Sequence, residues 1–287
     1  HRRPAPLRLL RRTPGQASAR GARAARRDPA PGAGERRGHR PGHVKAMILA
    51  AGIGSRLRPL TDAHPKALVE VSGMAMIELV IRRLTKAEVD GIIVNAFHLA
   101  DQLEDFLQSR DFGVPVHISR ETELLDTGGG LKRASWFFDD GRPFFLHNAD
   151  VFTNLDLAGF YRSHMDSGAL ATLAVSDRTS ARHLLFDEQE RLCGWESAPD
   201  GRTQWATAPV PAATRLAFNG IHVISPGLVA GLCETGAFSI NRSYLRLAAQ
   251  GADIRAFRMD EWYYKDIGSA AKLEEVRCWA REKGLPI

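Results

Sequence analysis

The sequence predicts an α/β fold built on a mixed, mostly parallel sheet with helices on both faces and a small antiparallel extension. Up to about residue 150, short apolar runs alternate with segments of helical periodicity, the pattern of parallel strands joined by crossover helices. After that point, short strand candidates broken by Gly, Pro and Asp follow one another without intervening helices. With 44% hydrophobic residues, the chain of 287 residues can bury a large core.

The first half contains four predicted strands and the helices between them. The strands are the apolar runs 46–50, 91–96, 116–119 and 144–147. Apolar residues at helical spacing predict helices over 77–87, 99–107 and 130–138. This order implies right-handed crossovers, which place helices on both faces of the sheet.

The order of predicted helices and strands is less regular in the second half of the chain. This half contains predicted helices at 157–167, 243–249 and 270–283, and predicted strands at 170–175, 183–186, 192–195, 218–224 and 254–257, with a further aromatic, strand-like run at 262–267. No internal repeat and no linker is visible after residue 44. Residues 44–287 are therefore predicted to form one domain with a Rossmann-like sheet.

Residues 1–43 have a different composition from the rest of the chain. They hold twelve arginines, no lysine and two acidic residues, a net charge of +10, so the overall +6 leaves −4 for residues 44–287. Rich in Arg, Pro, Ala and Gly, this tail is predicted to be disordered. A basic arm is one interpretation; the favoured one is that the native protein begins at Val44, because a valine codon can serve as a bacterial start.

The body of the chain gives no signal for a nucleic-acid or membrane partner. It is mildly acidic, and no apolar run approaches the about 18–20 residues of a membrane helix. The three cysteines are far apart and predict neither a zinc site nor a disulfide framework, which fits a cytoplasmic protein. The sequence makes no prediction about the oligomeric state.

The stretch from Ile48 to Lys66 carries the strongest functional signal. A buried strand opens into a loop of small residues, which lets the backbone approach a bulky ligand closely. Arg56 and Lys66 add positive charge to the same place. We interpret the stretch as a loop that wraps the phosphates of a nucleotide, with its small residues at the ligand: Ala50, Ala51, Gly52 and Gly54.

A second candidate is the glycine-rich block that starts at Asp126. Thr127 is a plausible helix N-cap, and the glycines from Gly128 to Gly130 would let the backbone lie against a sugar or a base. An ordinary glycine-rich turn with a capping threonine explains the same residues.

Two aspartates follow strand-like runs. Asp150 comes directly after the fourth strand, and Asp266 follows an aromatic run and precedes a glycine. Mg²⁺ favours one or two carboxylates together with substrate phosphate oxygens, so the two residues are candidate metal ligands. A turn aspartate that caps the next segment is the alternative, and spacing alone does not show that the two carboxylates meet.

Several other classes of site are excluded or weakened. The loop lacks the third glycine of the dinucleotide fingerprint and is not a Walker A sequence. The second strand ends at Asn95 and Ala96 without an acidic residue. His147 is interpreted as a packed strand residue, and His98 is a weaker candidate for a contact with a nucleobase.

At this point the residues resemble a known family. Residues 45–66 resemble the signature of the sugar-1-phosphate nucleotidyltransferases, most of all the branch of the N-acetylmuramate-1-phosphate uridylyltransferases and mannose-1-phosphate guanylyltransferases. The resemblance continues through A-L-V-E-V-S-G, D-T-G-G-G, N-A-D, F-N-G-I and K-D-I-G and covers residues 45–283.

The resemblance implies an enzyme that condenses a nucleoside triphosphate with a sugar 1-phosphate. The loop around Gly52 would bind the nucleotide, with Arg56 and Lys66 on its phosphates. Asp150 and Asp266 would hold Mg²⁺. The resemblance further places Asn95 and Gly128 near the nucleoside, and Asn219 and Gly220 near the sugar.

The chain departs from the family pattern in one segment. The Glu-Lys-Pro sequence that many relatives use for the sugar phosphate is missing, which leaves Glu196 as a weak candidate there. The triple glycine favours UTP over GTP. Two alternatives stay open, a cytidylyltransferase that acts on phosphocholine and a nucleotide-binding module without catalysis.

Overall fold

The computed structural model describes residues 44–287. The predicted disorder of residues 1–43 and the expected start at Val44 concern a segment outside the described residues. The described residues all belong to one compact unit. Its strands are β1 (Val44–Leu49), β2 (Glu70–Val71), β3 (Met74–Ala75), β4 (Val89–Ala96), β5 (Val116–Arg120), β6 (Phe144–Asn148), β7 (Val151–Thr153), β8 (Ala171–Ser176), β9 (Arg182–Phe186), β10 (Leu192–Ser197), β11 (Arg202–Trp205), β12 (Thr214–Ile224), β13 (Ile254–Arg258) and β14 (Tyr264–Asp266).

The helices lie between these strands. They are α1 (Leu60–Ala63), α2 (Met76–Lys86), α3 (Ala100–Gln108), α4 (Asp126–Arg133), α5 (Leu157–Ser167), α6 (Pro226–Ala230), α7 (Ile240–Ala249) and α8 (Ala270–Lys283), with short 3-10 turns at Ser55–Leu57, Lys66–Leu68 and Ser135–Phe137. Within residues 44–287, none of the helices has the length and apolarity that crossing a bilayer requires.

The central sheet has the strand order β11-β10-β9-β12-β6-β1-β4-β5, with β8 paired to β12 and β13. Its middle is parallel, because β1 pairs in parallel with both β4 and β6, and β5 pairs in parallel with β4. β12 runs antiparallel to β6 and continues into the antiparallel extension of β9 to β11. The predicted Rossmann-like mixed sheet with an antiparallel extension is confirmed.

Helices cover both faces of the sheet, as predicted. Successive side chains of a strand point to opposite faces. Ile48 accordingly packs in one apolar cluster with α2, α3 and α5, and its neighbour Met47 packs in another with α4 and α7. Both side chains are fully buried, so β1 is anchored between the two layers of helices and its carboxyl end is held in a fixed place.

Two predictions about α4 are wrong. The helix begins at Asp126 and ends at Arg133, instead of covering 130–138, and Thr127 lies inside it and does not cap it. The three glycines misled the periodicity argument, because glycine disfavours a helix and tertiary packing overrides that preference here. The short strands β2, β3 and β7 were missed because two or three residues give no measurable alternation.

Candidate active site

The loop after β1 is fixed from both sides. The main-chain N–H of Ala50 donates to Oδ1 of Asn95 at 2.7 Å, and Oγ1 of Thr61 donates to the carbonyl oxygen of Gly54 at 2.8 Å. Gly54 has a φ of +71°, and a Cβ at this position would lie 2.9 Å from Cγ2 of Thr61. The fold therefore requires glycine at residue 54, both for its backbone conformation and for its packing.

A cavity of about 460 Å³ lies beside this loop. It is at the carboxyl ends of β1, β4 and β6, where ligands bind in open α/β sheets. The residues that line it include most of those predicted to contact the nucleotide and several neighbours: Leu49, Ala50, Ala51, Gly52, Lys66, Ala67, Asn95, Leu124, Asp126, Thr127, Asn148, Ala149, Asp150 and Ala237.

Lys66 and Asp150 form a short ion pair in the wall of this cavity. Nζ of Lys66 donates to Oδ2 of Asp150, and both side chains are largely buried, at 15% and 25% exposure. Lys66 begins the 3-10 turn Lys66–Leu68, directly after Pro65, and Asp150 follows the end of β6. The structure thus brings together two of the predicted catalytic residues.

Asp150 and Asp266 meet through strand pairing. β7 and β14 run antiparallel, with Asp266 opposite Val151, and the N–H of Ile267 donates to the carbonyl oxygen of Asp150 at 2.9 Å. Spacing along the chain gave no sign of this contact, because the pairing joins segments from opposite ends of the domain.

Cations surround Asp266 as well. Nζ of Lys272 donates to its Oδ2 at 2.6 Å. Burial raises the pKa of Asp266, but the hydrogen bond and charge of Lys272 and the charge of Lys66 outweigh burial, and the net pKa is lowered. The carboxyl group is therefore ionised at neutral pH. Sequence reasoning missed Lys272, because a single lysine in a helix with many charged residues gives no distinctive signal.

Arg56 lies on the same side of the site. Its side chain is close to Gly268, where an added Cβ would lie 3.2 Å from Nη2 of Arg56 and would also clash with Oδ1 of Asp266. Glycine at residue 268 leaves room for both groups. Arg56, Lys66 and Lys272 thus place three positive charges around the two carboxylates.

Asn95 is a buried link between the loop and the sheet. Its Oδ1 accepts from Ala50, and its Nδ2 donates to Oε1 of Glu121 at 2.8 Å, while Oε2 of Glu121 accepts from the N–H of Leu125 at 3.1 Å. Asn95 is 2% exposed. Its predicted contact with the base thus competes with hydrogen bonds that it already makes. Glu121 comes directly after β5 and carries no motif that would mark it in the sequence.

The triple glycine packs against protein. The N–H of Gly128 donates to the carbonyl oxygen of Phe238 at 2.9 Å, and a Cβ at residue 128 would clash with the Phe238 ring. At Gly129 a Cβ would lie 2.6 Å from the carbonyl oxygen of Gly236. Asp126 and Thr127 line the cavity, whereas Gly128 faces the 236–238 segment. The glycines allow α4 to approach that segment closely.

Asn219 and Gly220, the predicted sugar contacts, lie in a bend of β12. Asn219 is fully buried, and its side chain bonds to Ser176 and Arg178. Gly220 has a φ of +72°, and a Cβ there would lie 2.5 Å from Nδ2 of Asn148, at the cavity wall. Glu196 instead lies on β10, where it pairs with His183 and Arg215.

Two histidines can be placed. His147 is 1% exposed in β6, and burial lowers its pKa to about 4. It is a packed strand residue, as interpreted from the sequence. His98 lies with Nε2 3.4 Å from the carbonyl oxygen of Thr61.

The fold and the site together define an α/β protein with a Rossmann-like sheet, a small-residue loop at its carboxyl edge, and two carboxylates beside several cations, a charge arrangement that suits anionic ligands. Comparison with known proteins identifies the family. The protein family described as Nucleotidyl transferase matches residues 45–186 of this chain. The N-acetylmuramate alpha-1-phosphate uridylyltransferase of Caulobacter vibrioides is 34% identical over 217 residues, which are 72% of this chain and 85% of that protein.

Two further proteins of this kind are similar to the chain. The mannose-1-phosphate guanyltransferase of Eremothecium gossypii is 28% identical over 78% of this chain, and the match spans 61% of that protein. The solved structure of UDP-glucose pyrophosphorylase from Acinetobacter baumanii shares the fold with a TM-score of 0.69 at 19% identity, and the match covers 85% of this chain and 96% of that one. The chain belongs to the sugar-1-phosphate nucleotidyltransferase family.

Proposed function

We propose that this enzyme joins a nucleoside triphosphate, with UTP favoured over GTP, to a sugar 1-phosphate. An oxygen of the sugar phosphate attacks the α-phosphorus and forms the new P–O bond. The bond from the α-phosphorus to the bridging oxygen of the β-phosphate breaks, and its electron pair leaves with pyrophosphate. Positioning and charge stabilisation suffice for such a transfer, without a covalent intermediate. The observation that carries the proposal is the meeting of Asp150 and Asp266 beside Lys66.

Gly52 supports a nucleotide at the loop. It lines the cavity, and a Cβ at residue 52 would find no protein atom within 4 Å. The described fold therefore gives no steric reason for glycine at this position, in contrast to Gly54. A ligand that lies directly against the main chain would explain why residue 52 is a glycine. We assign the nucleotide phosphates to the loop from Ala50 to Gly54.

Lys66 and Arg56 supply the electrostatic part of the mechanism. We assign Lys66 to the α-phosphate, because it already binds a carboxylate in the cavity wall. Arg56, beside Gly268, is assigned to the leaving phosphates. Fixed cations at the places where charge develops stabilise the transition state without reorganisation during the reaction.

Asp150 and Asp266 fit a divalent cation. Two half-buried carboxylates, each near ammonium groups that a metal ion would replace, suit Mg²⁺, which takes one or two carboxylates and completes its coordination with phosphate oxygens and water. When bound, Mg²⁺ would neutralise phosphate charge. The protein's own part is to hold both carboxylates in place through the pairing of β7 with β14.

The sugar and the base are assigned to separate segments. For the sugar we propose the bend at Asn219 and Gly220, which packs against Asn148 at the cavity wall. For the nucleoside we propose Asn95 and the start of α4, with Gly128 as the packing residue that sets its position. UTP is favoured because the match spans more of the uridylyltransferase than of the guanyltransferase. The proposed compartment is the cytoplasm, where nucleoside triphosphates are made.

A pyrophosphate-release assay tests the proposal. The enzyme is incubated with Mg²⁺, each of four nucleoside triphosphates and a panel of sugar 1-phosphates, with phosphocholine as an additional acceptor. We expect turnover with UTP and at least one sugar 1-phosphate, and loss of turnover in EDTA that added Mg²⁺ restores. Turnover with CTP and phosphocholine alone would overturn the assignment, and nucleotide binding without turnover of any pair would indicate a binding module.

A further inference from the structure

Arg178 is a cation that the site described so far does not use. It lies in the loop after β8, two residues beyond Ser176, and its side chain is half-buried. Nε donates to Oδ1 of Asn219 at 2.9 Å, and Nη2 donates to the carbonyl oxygen of Phe218 at 3.0 Å. Neutral acceptors therefore hold the guanidinium in a fixed orientation.

The charge of Arg178 is not neutralised by the surrounding protein. Among the described residues it forms no ion pair, and Nη1 has no hydrogen-bond partner there. Arg246, in comparison, donates to both oxygens of Glu234, at 2.8 and 3.0 Å. A partly buried arginine without a carboxylate partner is costly, and an anionic ligand would compensate that cost.

Tyr264 connects Arg178 to the carboxylates. The guanidinium carbon lies 4.7 Å from the centre of the Tyr264 ring, within the range of a cation–π contact. Tyr264 and Asp266 are two residues apart on β14, so their side chains leave the strand on the same face. Nη2 of Arg178 also lies 3.5 Å from the hydroxyl oxygen of Tyr264.

Arg178 also borders the segment assigned to the sugar. Its two strongest hydrogen bonds go to Phe218 and Asn219, and the next residue, Gly220, packs against Asn148 in the cavity wall. Arg56 and Lys66 belong to the loop between β1 and β2, whereas Arg178 follows β8. The positive charges thus come from separate elements of the fold. This separation suits two anionic reactants that bind at different places.

We propose that Arg178 binds the phosphate of the sugar 1-phosphate and takes the place of the lysine that many relatives carry in their Glu-Lys-Pro segment. This inference rests on the proposed function. A guanidinium with free donors matches phosphate oxygens in geometry and charge. Asn219 and Tyr264 act as positioning residues, one through a hydrogen bond and the other through its ring.

Steady-state kinetics of Arg178→Ala test the inference on the sugar 1-phosphate that the wild type turns over best. We expect KM for the sugar 1-phosphate to rise by about tenfold or more, the size of a lost charge-assisted contact, with KM for the nucleotide unchanged. Arg178→Lys and added guanidinium ion should each restore part of the loss. Arg110→Ala is the control, because Arg110 follows the end of α3, where it stacks on Phe106 at 3.8 Å and pairs with Glu78, away from the residues assigned to the site.

A binding measurement separates this inference from the proposed function. Inorganic phosphate is titrated calorimetrically into the wild type, Arg178→Ala and Arg110→Ala, and each variant is checked by circular dichroism and thermal unfolding. Loss of a phosphate site in Arg178→Ala alone supports the inference, even if the wild type turns over no substrate pair and the proposed function fails. Equal phosphate binding in all three proteins, or an unchanged KM in a folded Arg178→Ala, would overturn it.

Discussion

The main-chain N–H of Ile267 lies 2.9 Å from the carbonyl oxygen of Asp150, and this hydrogen bond joins the two halves of the site. It extends the pairing of β7 with β14, which sets Asp266 opposite Val151. Both carboxylates therefore depend on one small two-stranded sheet, separate from the large one. Changes to either aspartate should affect chemistry without disturbing the main core.

Replacing either aspartate by asparagine should lower turnover by about 100-fold or more. The change removes a negative charge from the proposed metal site and keeps the shape of the side chain. Turnover is measured by pyrophosphate release, and folding by thermal unfolding. Asp166→Asn on the exposed side of α5 is the control, with unchanged turnover expected. A near-normal rate in Asp150→Asn would remove that residue from the metal site.

Gly52 and Gly54 should respond differently to alanine. Gly52→Ala fills open space in the folded protein, so its free energy of unfolding should change by less than about 0.5 kcal/mol, while the affinity for the nucleotide falls. Gly54→Ala forces a side chain into a left-handed conformation against Thr61 and should cost about 1–3 kcal/mol of stability. Nucleotide titration and urea unfolding measure the two effects. Normal affinity in Gly52→Ala would show that no ligand backs against this residue.

Gly128→Ala should destabilise the protein by about 1–3 kcal/mol, because the new methyl group meets the Phe238 ring. Phe238→Leu shortens that side chain, so the double variant should recover part of the loss. A double-mutant cycle of unfolding free energies measures the coupling. A different outcome would favour a direct ligand contact at Gly128. In that outcome the two substitutions have additive effects on stability, and Gly128→Ala is stable but fails to bind nucleotide.

Stability should fall in acid through buried histidines. Burial lowers the pKa of His164 to about 4, and its ring nitrogens bond to Oγ1 of Thr172 at 2.8 Å and Oγ of Ser225 at 3.0 Å. The unfolded chain, with a histidine pKa of about 6.5, binds a proton that the folded chain does not. The stability contributed by the neutral ring is complete above pH 6.5 and is lost between there and about pH 4.

His164→Gln tests the acid effect directly. Each such histidine contributes a slope of about 1.4 kcal/mol per pH unit within that window. Urea unfolding from pH 7 to pH 4.5 should therefore show a shallower decline in His164→Gln than in the wild type. His117, which lies on β5 with an exposed ring, supplies the control His117→Gln, and its curve should keep the wild-type slope. Equal slopes in all three proteins would contradict the assignment.

Much of the fold could be predicted because its elements carry strong local patterns. The predicted helices 157–167 and 270–283 match α5 and α8 in both bounds, and the apolar runs at 91–96 and 144–147 fall within β4 and β6. A strand buried on both faces reads as a continuous apolar run. The prediction for α4 failed because its glycines allow close packing against the segment around Phe238. That segment is distant in the sequence, so no local pattern reveals the contact.

The loop from Ala50 to Gly54, the charges of Arg56 and Lys66, and the two candidate aspartates were visible in the sequence, because the loop opens from an apolar run, the two cations follow that loop within a few residues to about a dozen, and the aspartates come soon after strand-like runs. Tertiary structure alone brought Asp266 to Asp150, paired Lys272 with Asp266, enclosed Asn95 between Ala50 and Glu121, and bonded Arg178 to Asn219. Local pattern reports burial and backbone preference within one element. Contacts between elements depend on strand pairing and packing across the whole domain, so their residues gave no signal until the chain was folded.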